Sequence, residues 1–240
     1  MKSGNGCRIL ATAKNSKPKK SSMNRVINLQ MTLLLPLLMA YSLIGETFHE
    51  VVGTVMLVLY VLHLFLHRKW WKAVPKGRYN AYRAFITFLN LILLVLMLAQ
   101  PLSGIAMSHH LYTFLPFTGI AATARDIHLV LGYWSYVLMS AHLGLHMEWV
   151  IRGITKGKEQ KQAIKWIGRV LVLLISAYGI YAFIKRGLPG YMFMQTMFAF
   201  FDFGEPVVFF IADYLAVMVL FAAAGYYIGK LLKGIARKGR

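Results

Sequence analysis

Apolar runs of about 20 residues, the length a helix needs to cross the hydrocarbon core of a bilayer, recur along this chain. Examples are "FITFLNLILLVLMLAQPLSGIA" (85–106) and "VVFFIADYLAVMVLFAAAGYYIG" (207–229). Inside hydrocarbon every backbone N–H and C=O must be satisfied within the segment itself, so such runs have to be helical. Composition agrees, since 58% of the 240 residues are apolar and 15% are charged, against about 25% charged in a soluble domain. The expected fold is an all-α integral membrane protein with six transmembrane helices, over 28–46, 49–67, 84–106, 127–150, 166–186 and 206–230. The amphiphilic stretch 187–205, "GLPGYMFMQTMFAFFDFGE", is too irregular for a span and reads as an interfacial or re-entrant piece.

The net charge of +19 is distributed in a way that speaks against nucleic acid. The N-terminal tail carries seven Lys/Arg, the 68–83 loop six, the 152–169 loop six and the C-terminal tail five, leaving only Arg125, Lys185 and Arg186 elsewhere. With six spans these four clusters share one side. The positive-inside rule makes that side, and both termini, cytoplasmic, and the cations contact anionic lipid headgroups. Trp70, Trp71, Trp149 and Trp166 fall at the same helix ends, where indoles favour the interface. Residues 1–25 read as a disordered basic tail without a signal-peptide core. The single cysteine, Cys7, leaves no internal disulfide, Cys-rich iron–sulfur site or covalent haem attachment.

Six of the eight histidines lie in the second and fourth spans, in matching frames. "HEVVGTVMLVLYVLHLFLH" (49–67) aligns with "HLVLGYWSYVLMSAHLGLH" (128–146), pairing His49 with His128, His63 with His142, His67 with His146, and Gly53 with Gly132. Fourteen residues rotate a helix by about 1400°, some 40° short of four turns, and rise about 21 Å. Each span therefore presents two imidazoles on nearly one face at two depths. One span intervenes between them, so the two helices run parallel and the depths match. Two opposed imidazoles at one depth can ligate a haem iron from both axial positions. Two such levels, in a core formed mainly by helices 2 and 4, would hold two b-type haems non-covalently. His49/His128 would serve the outer haem and His63/His142 the inner. Gly53 and Gly132 would let a macrocycle approach the backbone. His67 and His146 lie eighteen residues after the outer pair, or about 27 Å along the axis, which makes them alternate inner ligands or partners of a propionate, quinone headgroup or proton.

Other polar residues carry open readings. Arg125 either pairs with outer haem propionates or caps a helix end. His109 and His110 are a solvated loop pair or a contact for the haem edge or a redox partner. Asn90 and Gln100 read as interhelical hydrogen-bonding groups. Asp213 and Glu148 are proton-handling candidates, with an interfacial role as the alternative for Asp213. Gly225-x-x-x-Gly229 marks a close helix contact.

The segments "FHEVVG", "VLHLFLHRKWW", "YNAYRAFITFLNLILLVLMLAQPLSGIAMSHHLYTFLP" and "ARDIHLVLGYWSYVLMSAHLGLH" resemble the flavinylation-associated cytochrome family across roughly residues 30–150. "FAFFDFGEPVVFFIADYLAVM" also looks similar. The resemblance implies a bacterial inner-membrane b-type cytochrome of the cytochrome-b and ferric-reductase-like kind, carrying electrons from the membrane pool to flavinylated extracytoplasmic domains. Its ligands carry over onto His49, His63, His128 and His142. The family commonly has asparagine at position 67, which favours His63 as the inner ligand.

Residues 26–150 thus form a four-helix diheme core, and 151–240 add two spans and the 187–205 segment. The expected function is transmembrane electron transfer from quinol to an FMN-binding flavoprotein partner, whether or not the chain counts as a quinol-oxidising enzyme subunit. About ten residues follow the sixth span and no G-x-G-x-x-G or Walker motif occurs, so separate donor and acceptor partners are expected. "FTGIAATA" (117–124) matches a flavin-attachment sequence poorly. The alternatives are a histidine-lined metal or proton transporter and a haem-containing anchor subunit of a redox complex.

Overall fold

The structure, a computed structural model, describes residues 19–117, 119–196, 198 and 204–238. Every regular element among them is helical: α1 (Lys19–Leu38), α2 (Tyr41–Ile44), α3 (Glu46–Leu66), α4 (Arg68–Ala73), α5 (Ala81–Ala106), α6 (Ala121–Leu145), α7 (Met147–Ile154), α8 (Gln162–Lys185), α9 (Leu188–Met192) and α10 (Val207–Lys238). Four of these, α3, α5, α8 and α10, are long and apolar enough to cross a membrane. The helices at the other two expected spans are more polar. Over its 25 residues α6 carries Arg125, Asp126, two histidines and two buried serines, and α1 opens on a basic turn and contains Pro36.

Several boundaries differ from expectation, each for a local reason. The tail expected to be disordered through residue 25 is already helical from Lys19, while residues 1–18, with Cys7, lie outside the described part. The expected spans 49–67 and 127–150 stop early, at Leu66 and Leu145. At His67 (φ −95°, ψ 13°) and His146 (φ −96°, ψ 0°) the helical ladder breaks and the chain turns into the short helices α4 and α7. The internal repeat therefore extends beyond the histidine frame, to a long helix, a histidine junction and a short tryptophan-bearing helix. The last span runs on to Lys238. Within 187–205, α9 is not a surface element. Its Leu188, Tyr191 and Met192 are buried, Tyr191 stacks on Tyr133 at 4.6 Å, and Trp134 Nε1 donates to Met192 O at 2.9 Å. Residues 197 and 199–203 of that segment lie outside the described part.

The densest packing is between α6 and α10, and it is made by small residues. A Cβ placed on Gly144 would collide with the Ala222 carbonyl, and one on Gly225 with the Ala141 carbonyl. At Gly229 a Cβ would meet Leu145 Cδ2 at 2.8 Å. The Gly225/Gly229 pair therefore forms the close contact expected of it, the arrangement by which backbones approach and gain dispersion contacts where no water drives association. Gly179 brings α8 onto α10 in the same way, since a Cβ placed there would lie 2.5 Å from the Ala216 carbonyl oxygen. On its other side α6 packs on α5, while α3 leans on α1 and is not close-packed against α6. The two histidine helices thus face one another across a gap rather than touching along a seam.

Gly144→Val is expected to prop α6 off α10 and destabilise the fold by about 3 kcal/mol or more, because backbone atoms cannot move aside as a rotamer can. Gly168→Ala, which meets open space on α8, is the control and should be neutral or stabilising by up to about 1 kcal/mol. Thermal unfolding in detergent compares the two.

Candidate functional site

The gap between α3 and α6 is a cavity of about 490 Å³ at the His49 end of the bundle, within the range of ligand-sized pockets. His49 enters from α3 and His128 from α6, with ring centroids 6.1 Å apart and planes at 78°. Gly53, Gly132 and Arg125 line the same space, as does His109 from the loop after α5. Much of the remaining wall is Met39, Met56, Met97, Met107 and Met139, soft and polarisable side chains that conform to a large aromatic surface.

Hydrogen bonds decide how His128 is presented. Its Nδ1 lies 3.0 Å from the carbonyl of Gln100, which can only accept, so Nδ1 carries the proton and Nε2 keeps its lone pair. The Gln100 side-chain amide donates to that Nε2 at 3.2 Å, and Ser103 Oγ donates to the same Gln100 carbonyl at 2.8 Å. Gln100 thus does make the interhelical bond expected of it, through both its backbone and its side chain. His49 Nδ1, in contrast, is buried without a hydrogen-bond partner.

Glu50, the neighbour of His49, holds the lid of the cavity. It accepts from Ser108 Oγ (2.7 Å), His109 N (3.0 Å) and Leu111 N (2.8 Å). The Thr54 hydroxyl donates to Glu50 O, so Tyr112 O–H donates to Thr54 Oγ1 at 2.8 Å and closes the strap. Neither Glu50 nor Tyr112 was singled out by sequence, although a carboxylate beside His49 in an apolar run was a signal. Gly104 was also missed. A Cβ there would lie 3.0 Å from His128 Cε1, tighter than at Gly132 (3.2 Å from Gln100 Nε2) or Gly53 (4.0 Å from Leu38).

The second histidine level lies at the other end. His63, His67, His142 and His146 are within electrostatic reach of one another, with ring contacts running along each helix, His63–His67 at 4.5 Å and His142–His146 at 4.7 Å. His63 and His142 are half-buried, whereas His67 and His146 are exposed at the helix junctions. His63 Nδ1 donates to Asn28 Oδ1 of α1 at 3.0 Å, again leaving the other ring nitrogen as the lone-pair site. His142 Nδ1 is buried without a partner. The two levels therefore share a pattern in which one imidazole is anchored through Nδ1 and its counterpart is not. Asn28 was not foreseen, because it lies 35 residues from His63 in the chain.

The remaining candidates have other partners. Arg125 is exposed and lies over Phe198 at 5.1 Å as well as lining the cavity. His110 faces Glu46 at 3.6 Å. Glu148 pairs with Lys233 at 2.9 Å, tying α7 to α10. Asp213, 1% exposed, accepts from Tyr178 O–H, Lys185 Nζ (3.0 Å) and Arg186 Nε (2.8 Å). Arg186 then forks onto Glu205 at 2.6 and 2.7 Å. This network clamps the end of α8, the start of α10 and the turn between them. Among the described residues no three or more His, Cys, Asp or Glu side chains converge as ligands for one metal ion. No family model, curated protein or solved structure matches the chain.

The Arg186 hydrogen bonds hold the Glu205 carboxyl below the usual glutamate range. A depressed folded-state pKa contributes stability above the unfolded value that is lost as pH falls through the folded one. Glu205→Gln is therefore expected to cost about 1.5–3 kcal/mol at pH 7, with the difference from the parent shrinking as the pH drops below the ordinary glutamate range. Unfolding midpoints measured from pH 7 to pH 3 check this.

Proposed function

We propose that this chain is a diheme b-type cytochrome of the flavinylation-associated kind, carrying electrons across a bacterial cytoplasmic membrane. In this reading α1 and α6 join the four apolar helices as the first and fourth of six spans, α3 and α6 form the haem core, and both termini are cytoplasmic. Electrons enter from quinol near the inner level and leave from the outer level to an extracytoplasmic flavoprotein.

The observation that carries the reading is the outer histidine pair. An imidazole nitrogen sits about 2 Å from a bound transition metal, and the ring centre lies roughly 1 Å behind it. His49 and His128 stand with ring centroids 6.1 Å apart across a ligand-sized cavity, a separation that would let both hold one haem iron. The donor set also fits. His128 and His63 have Nδ1 committed to an acceptor, the condition that orients an imidazole and raises its basicity toward a metal. At His128 the Gln100 side-chain amide that bonds Nε2 at 3.2 Å would have to turn aside for the metal. Unpartnered buried nitrogens remain on His49 and His142, one at each level. Burial and the Asn28 bond support His63/His142 over His67/His146 as the inner pair.

Haem would supply the one-electron Fe(III)/Fe(II) couple. The chain supplies the rest. Gln100 O and Asn28 Oδ1 hold the ligand tautomers, Gly104 leaves room for the His128 ring and Gly132 for the Gln100 amide, and the Glu50–Tyr112 strap covers the outer level. Arg125 at the cavity rim is placed to receive a propionate.

Purified protein is expected to show a dithionite-reduced b-type spectrum at about two haems per chain, and His128→Ala and His142→Ala to remove one haem each. Asn28→Leu should weaken retention of one haem roughly tenfold and raise its midpoint potential, because an imidazole without its acceptor is a poorer donor. Haem-free protein would end the proposal. Haem loss with His67→Ala but not His63→Ala would move the inner ligand.

A further inference from the structure

Beside the inner histidine level lies a second, more open cavity of about 720 Å³, walled by α4, the turn after it and the first half of α5. Its charge is one-sided. Lys69 and Lys72 of α4, Lys76 of the turn and Arg83 of α5 all line it, and no Asp or Glu does. Among the described residues none of the three lysines pairs with a carboxylate. Lys233, at the same end of the bundle, is by contrast matched by Glu148 at 2.9 Å. Arg83 gives its guanidinium hydrogen bonds to neutral groups, the carbonyls of Ala73, Lys76 and Arg78, so its charge stays uncompensated as well. Those bonds also preform the groove by folding the turn over Arg83. At Gly77 (φ +78°) a Cβ would lie 3.0 Å from Arg83 Nη1. The floor is apolar, with Trp70, Val74 and Ile86. Beyond it α5 continues as a helix of membrane-crossing length that exposes Phe88, Leu91 and Val95.

We infer that this groove binds one anionic phospholipid, with its phosphate among the three lysines and its acyl chains along the exposed face of α5. Uncompensated positive charge beside an apolar floor calls for a ligand that joins an anion to an apolar body. A free phosphate satisfies the lysines but leaves Trp70, Val74 and Ile86 uncovered. An acidic peptide also satisfies the lysines, yet along α5 its backbone would lie in hydrocarbon without partners. Diffuse attraction of a basic loop to an anionic surface needs neither converging lysines nor a preformed wall. Such a lipid site holds whether or not haem binds.

The test is native mass spectrometry of the full chain, released from neutral detergent containing dioleoylphosphatidylglycerol or dioleoylphosphatidylcholine, which share tails and differ in headgroup charge. Retention of the first phosphatidylglycerol is expected to exceed that of the first phosphatidylcholine about tenfold or more, at roughly fivefold per lysine beside an anionic headgroup. Replacing Lys69, Lys72 and Lys76 together by Gln should erase that preference. Replacing Lys156, Lys158 and Lys161 by Gln, an equal loss of charge in the exposed stretch between α7 and α8, should leave it intact. Val74→Trp, which fills the groove and keeps every cation, should weaken retention too. If that variant does not fold, the two charge-matched triple variants decide. Equal retention of the two lipids, equal loss in both triple variants, or full retention by folded Val74→Trp overturns the inference. Displacement of the lipid by inorganic phosphate at equal concentration overturns it in favour of a free-phosphate site, and displacement by polyglutamate in favour of an acidic protein partner.

Discussion

The contact between α6 and α10 is the constraint from which the rest of the arrangement follows. Gly144 and Ala141 on one helix meet Ala222 and Gly225 on the other at backbone distance. No side chain stands between them to yield. That seam fixes the rotation of α6 about its own axis. With Gly144 turned toward α10, His128, about 160° around the helix from it, faces away from that seam and into the cavity toward α3. The Asp213 network secures the neighbouring corner, since a carboxylate that is 1% exposed accepts hydrogen bonds from Tyr178, Lys185 and Arg186.

Because α3 packs on α1 rather than on α6, the space between the histidine helices stays open. The two levels in that space are built alike and finished differently. At the His49 end a backbone carbonyl, Gln100 O, orients the anchored imidazole, and the Glu50 strap closes the top. At the His67 end the acceptor is a side chain from α1, and the helices break into short segments beside an open groove. A backbone acceptor cannot leave without unwinding its helix, whereas an asparagine can rotate. The first level is accordingly rigid and covered, the second adjustable and accessible.

Much of this was legible in the sequence, where periodicity and hydrophobic content carry the information. The paired histidines, Gly53, Gly132, Arg125 and the Gly225/Gly229 contact all line up with features the structure places together. What escaped detection depended on distance along the chain. Asn28 reaches His63 from another helix, and Glu50 organises residues 58 to 61 positions away. The packing of α9 against α6 rests on partners 58 positions apart, Trp134 and Met192, which the irregular hydropathy of 187–205 does not indicate. The break at His146 escaped because the apolar run continues through Met147, Trp149, Val150 and Ile151 while the backbone does not, whereas the break at His67 falls within one residue of the expected end of its span.

Sequence alone determined that the chain is helical and largely apolar, and that its histidines recur in two matching frames, because those are properties of spacing on a helix with 3.6 residues per turn. Only the tertiary structure decided which nitrogen of His128 and His63 is left with a lone pair. It also decided that the outer rings stand across a cavity, and that a second cavity opens beside His146. Each of these depends on which carbonyl or amide from a distant segment arrives within 3 Å or so of a given atom. Helical periodicity sets where a side chain points, and it is silent on what waits there.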